Sequence, residues 1–97
     1  MLVSAQDDGS YLVKVRDGRV ETSHVVAVPP GWGAVLGVPG ASGDELVRAS
    51  FAFLLEREPG TSVLPRFSLE VIERYFPEYR AEVLRYLSPD QRHLRPG

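Results

Sequence analysis

The chain has 97 residues, 43% of them hydrophobic and 25% charged, with a formal net charge of -2 at pH 7. That length supports one domain with a core only just large enough to stand alone, and the composition excludes a fibrous or wholly disordered chain. Having no cysteine excludes disulfides, thiolate nucleophiles and cysteine-ligated metal sites, and the eleven basic residues, scattered among thirteen acidic ones, leave no broad footprint for nucleic acid.

The opening residues reach Asp7 and Asp8 too soon, and with no basic flank, for a signal peptide or transmembrane helix, so a cytoplasmic protein without membrane contact is expected. Asp8-Gly9 is a turn signal that leaves open whether Met1 to Gln6 adds a strand. Ser10 to Arg16 and Arg19 to Val28 are rich in β-branched residues and flank Asp17-Gly18, the signature of a hairpin closed by a two-residue type I′ turn. Counting outward from that turn sets Lys14 opposite Glu21, Val13 opposite Thr22 and Tyr11 opposite His24. Tyr11, Val13, Val15, Val20, Thr22, His24, Val26 and Val28 then form a core face, while Leu12, Lys14, Arg16, Glu21, Ser23, Val25 and Ala27 form a mixed outer one.

Pro29-Pro30 cannot donate to a ladder and stops the second strand. Pro30 to Leu36, which carries Trp32, reads equally as a short helix or a turn, with Gly37 placed as a left-handed cap. Ser42-Gly43-Asp44-Glu45 has capping-box spacing and predicts a helix along Asp44 to Glu58. Leu46, Val47, Ala49, Phe51, Ala52, Phe53, Leu54 and Leu55 cover nearly its whole circumference, so it must be buried on more than one side. The hairpin takes one side; the C-terminal helices or a second subunit take the other.

Pro59-Gly60 ends that helix. Ser62 is placed to cap one turn through Leu64, and Phe67 to staple a helix capped by Ser68, on which Leu69, Ile72, Tyr75 and Phe76 share a face. Pro77 breaks the pattern and suits the first position of a second short helix running to about Leu87, with Tyr79, Val83, Tyr86 and Leu87 inward. Ser88-Pro89-Asp90 could begin one more turn, and Arg92 to Gly97 is expected to fray. The expected fold is a single α+β domain: an N-terminal antiparallel β-hairpin or three-stranded meander over 1–30, a connector over 31–41, and over 42–97 a central buried helix followed by two or three short helices.

Groups suited to chemistry are sparse. His24 and His93 are the only histidines, and no H-x-x-x-H, paired-acid helix, G-x-G-x-x-G, P-loop or G-x-S-x-G pattern occurs. His24 near Tyr11 could act as a base or ligand, but with no acidic or nucleophilic partner in view it reads as a core histidine. No catalytic, cofactor-binding or metal-binding residue is therefore assigned, no cofactor is expected, and a non-enzymatic role is. Arg74-Tyr-Phe-Pro-Glu-Tyr79 has the Arg and aromatic content of interface anchors, and equally that of a clasp closing the helix junction. Trp32, Phe51, Leu55, Arg74, Tyr75, Phe76 and Tyr79 are the interface candidates, with the protein itself, as a homodimer, and a further protein as expected partners.

The stretch from His24-Val-Val-Ala-Val-Pro through Asp44-Glu-Leu-Val-Arg-Ala-Ser-Phe-Ala-Phe-Leu-Leu resembles the strand, helix, helix order of ribbon-helix-helix regulators and antitoxins. That resemblance implies a two-chain ribbon in the DNA major groove, with Thr22, His24 and Val26, or Glu21, Ser23 and Val25, facing the bases. Neither set contains arginine, lysine, asparagine or glutamine, and Glu21 would repel phosphate. This DNA-binding reading is therefore the alternative to an interaction or regulatory domain. Leu46 to Tyr79, with its L-L-E-R-E-P and V-I-E-R-Y-F-P-E-Y runs, resembles a group of small bacterial proteins of actinobacterial or high-GC type. That group has no assigned function, so the resemblance transfers no activity.

Overall fold

A computed structural model describes residues 1–87 of the chain. The readings placed on Ser88-Pro89-Asp90, on His93 and on the fraying of Arg92 to Gly97 lie outside the described residues. Four strands, β1 (Leu2–Ala5), β2 (Tyr11–Asp17), β3 (Val20–Ala27) and β4 (Arg66–Ser68), form one sheet in the order β1-β2-β3-β4. Four α-helices cover or flank it: α1 (Trp32–Val35), α2 (Gly43–Leu55), α3 (Ile72–Tyr75) and α4 (Tyr79–Glu82). The class is α+β, with a meander of three antiparallel strands and short C-terminal helices.

The meander includes Met1 to Gln6 after all. Gly9 at φ 89° turns the chain, Gln6 N–H reaches the Ser10 carbonyl at 2.8 Å, and Asp8 accepts from both Ser10 N–H and Oγ. At the other turn the pairing differs from expectation. Asp17 lies opposite Val20, Arg16 opposite Glu21, Lys14 opposite Ser23 and Val13 opposite His24, so the two loop residues are Gly18-Arg19 rather than Asp17-Gly18. Gly18 alone is in the left-handed region, at φ 66°, as a type II′ turn requires. The register therefore slips by two residues, which replaces the expected Lys14–Glu21 pair but returns every side chain to its expected face.

β4 runs parallel to β3, pairing Val25 with Arg66 and Ala27 with Ser68. A parallel neighbour needs a crossover, and α1 and α2 supply it. The expected helical turn through Leu64 and the Phe67 staple are replaced by a 3-10 turn at Gly60–Ser62 and by this strand, and Ser68 bonds Glu70 instead of capping a backbone N–H.

α1 is helical and closes by a Schellman arrangement: Gly37 at φ 89° donates to Ala34, and Val38 donates to Gly33 at 2.7 Å. α2 begins with the expected capping box, Glu45 N–H to Ser42 Oγ and Ser42 N–H to the Glu45 carboxylate. It ends at Leu55, short of the expected Glu58, because Arg57 and Glu58 both turn their N–H groups onto the Leu54 carbonyl ahead of Pro59. Gly43 opens the helix where an added Cβ would overlap the Tyr11 hydroxyl, so the strand-borne ring can lie against the helix start.

Both sides of α2 are covered within the chain. Phe51 faces the sheet, with its ring 5.4 Å from His24 and 5.9 Å from Phe67. Phe53 faces the C-terminal segments, with Phe76, Tyr79 and Tyr86 edge-on at 5.8, 5.4 and 6.3 Å. The all-round apolarity of α2 is thus satisfied without a second subunit. No helix among the described residues is long and apolar enough to cross a membrane.

Candidate interaction site

The interface candidates separate into two groups. Trp32, Phe51 and Tyr79 are buried in the core of the single chain, and Leu55 is half-buried. Arg74 and Tyr75 are exposed and Phe76 is half-buried beside them. Tyr75, expected to share the inward face of its helix, instead points outward and is 66% exposed. Leu69–Val71 form a 3-10 turn before α3, and this tighter winding shifts the phase of the later residues, leaving Leu69 and Ile72 inward and Tyr75 outward.

Tyr79 acts as a pin between three helices. Trp32 Nε1–H of α1 donates to its hydroxyl at 3.2 Å, Ser50 Oγ of α2 shares a hydrogen bond with it at 2.8 Å, and its ring lies nearly parallel to the Trp32 ring. Burial holds the Tyr79 hydroxyl above its ordinary pKa, opposed by its bonds to Ser50 and Trp32. Arg57 seals the outer end of this packing, with its guanidinium 3.8 Å over the Phe53 ring and its Nε on Glu78. The Glu78 carboxyl is held below its ordinary pKa by its own backbone N–H and by Arg57.

Where α2 ends, the side of the molecule formed by the C-terminal segments opens into an apolar groove of about 260 Å³. Leu54 and Glu58 form its floor at the end of α2, Ser62, Val63, Leu64 and Phe67 form one wall, and Val71, Ile72, Tyr75 and Phe76 form the other. Leu64 and Tyr75 are both substantially exposed, so the rim as well as the interior is apolar.

His24 holds the first wall in place. It is 2% exposed, beneath the sheet, with Nδ1 2.8 Å from the Leu64 carbonyl and Nε2 2.9 Å from Thr22 Oγ1. A carbonyl oxygen only accepts, so Nδ1–H donates to it and Nε2 accepts the Thr22 hydroxyl proton. Val25 N–H adds a bond to the Pro65 carbonyl at 2.8 Å. His24 is therefore a core histidine that ties the groove wall to β3.

Thr22, His24 and Val26, which would face DNA in a ribbon, are turned toward α2 instead, with His24 and Val26 buried. They lie on the inner face of the sheet because that strand face is the apolar one, whereas the alternative set, Glu21, Ser23 and Val25, lies on the outer face with Glu21 and Ser23 exposed. β3 is also bonded to β2 along one edge and, over Val25–Ala27, to β4 along the other. Among the described residues no cluster of three or more His, Cys, Asp or Glu side chains is arranged to hold a metal ion.

Glu58, Val63, Leu64 and Val71 were not singled out by sequence reasoning as part of a site. The available signal was Val63-Leu64 itself, an apolar pair set between turn residues with no helix or strand pattern to bury it. Comparison with protein-family models, with curated proteins and with solved structures finds no match to the chain.

Proposed function

We propose that the protein works by binding rather than catalysis, as a small cytoplasmic protein-interaction or regulatory domain of bacterial origin that functions as a homodimer. The observation that carries this reading is the groove at the end of α2, lined mainly by apolar side chains and bordered by the 66% exposed ring of Tyr75. Contiguous exposed apolar surface marks contact sites on soluble proteins, and a surface tyrosine beside a pocket is a typical anchor. Tyr75 and Phe76 of the groove lining belong to the Arg74 to Tyr79 segment whose composition suggested an interface.

Two features weigh against the ribbon-helix-helix reading. One of its candidate base-facing sets, Thr22, His24 and Val26, lies on the inner face of the sheet, and its ribbon strand is already paired with β2 and, over Val25–Ala27, with β4. DNA binding with a steep salt dependence would restore that reading. The interaction reading is tested by sedimentation equilibrium across micromolar concentrations: a reversible monomer–dimer equilibrium that Tyr75→Ala shifts toward monomer supports it. A wild-type protein that stays monomeric throughout refutes the homodimer.

A further inference from the structure

We propose that the groove is filled by a second copy of this chain, each copy inserting its Tyr75 into the groove of the other and pairing its Arg74 with the other's Glu58. This rests on the homodimer reading and specifies its interface. The groove, at about 260 Å³, is large enough to take an aromatic side chain. Tyr75 supplies the side chain. It stands on the rim of the groove it would fill in the partner, so a two-fold axis at that rim exchanges the two rings reciprocally, which is the self-complementarity an isologous contact demands.

Charge favours the same occupant. Glu58 lines the groove, and a wholly apolar occupant would strip water from its carboxylate without replacing it. Arg74, the residue before Tyr75, is exposed. Among the described residues neither Glu58 nor Arg74 makes an ion pair within the chain, nor do Arg16, Arg19 and Arg66, but of these arginines only Arg74 adjoins Tyr75, on the same short helix. An entering Tyr75 carries a guanidinium beside it that can meet the Glu58 carboxylate at the groove floor. The chain thus presents a knob with a cation and a hole with an anion on one patch.

The experiment measures dimer dissociation constants by sedimentation for the full chain, for Glu58→Arg, for Arg74→Glu and for the double exchange, with circular dichroism to verify folding. Each single change should weaken the dimer by roughly tenfold or more, through like charges at the contact, and the double exchange should recover most of that loss. Tyr75→Ala should weaken it by roughly thirty-fold, as loss of a central aromatic anchor does. A dimeric wild type indifferent to the single changes, or a double exchange that recovers nothing, overturns this interface while leaving the homodimer standing. A monomeric wild type, including one whose groove takes an unrelated protein, overturns both.

Discussion

The two long sides of α2 are closed by different means. Toward the sheet, Phe51 rests on a regular layer of β-branched side chains, Val13, Val15 and Val26, with His24 the one buried polar ring. Toward the C-terminal segments, Phe53 is enclosed by three aromatic rings, Phe76 at the proline break after α3, Tyr79 on the single-turn α4 and Tyr86 in a 3-10 turn over Val83–Tyr86, with the Trp32–Tyr79–Ser50 hydrogen bonds fixing the middle one. A sheet covers a helix with repeating spacing, so Val13, Val15, His24 and Val26 are all buried there. Short segments cover it only where individual contacts place them, and the groove opens where those contacts run out. The surface available for binding is a consequence of how the second side is built.

Three substitutions sharpen that contrast. Phe53→Ala should have the largest effect, a loss of about 3–5 kcal/mol by urea denaturation, because it empties the centre of the ring cluster and the short helices around it have little else to rest on. A loss well below that of Phe51→Ala would mean that the sheet side carries the stability after all.

Tyr79→Phe comes next, at about 1–3 kcal/mol, since it leaves buried Trp32 Nε1–H and Ser50 Oγ without their shared partner. It should also change the alkaline limb of the stability curve. The folded-state pKa of Tyr79 is raised above 10.0, so its contribution is complete below that value and declines as pH rises through the folded-state value. The substitution should remove Tyr79's share of that decline, and an unchanged alkaline limb would contradict its burial. The smallest effect is expected at the helix start: Ser42→Ala should cost about 1 kcal/mol by removing the side-chain half of the capping box.

Much of the sheet side was legible from local pattern. Alternation along β2 and β3 assigned the inner face correctly even though the turn was placed one residue early, because a two-residue slip preserves side-chain direction. The capping box at Ser42 and the break at Phe76-Pro77 were equally local and appear where expected. β4 was not legible. Three residues carry no period, and their strand conformation comes from pairing with β3, some forty positions earlier in the chain. The outward turn of Tyr75 was hidden for a related reason, since a single 3-10 turn at Leu69–Val71 changes the phase of every residue after it. The groove depends on both of these features, so only its Tyr75-Phe76 wall could be suspected from sequence.

The groove is proposed as the surface through which this protein binds. Stepwise dilution of isotope-labelled protein, followed by amide chemical shifts, tests it most directly. Concentration-dependent shifts should concentrate at Leu54, Glu58, Val63, Leu64 and Tyr75, with the β1 edge and the outer sheet face unchanged. Shifts confined to β1 or to Leu12, Lys14 and Val25 on the outer face would contradict it.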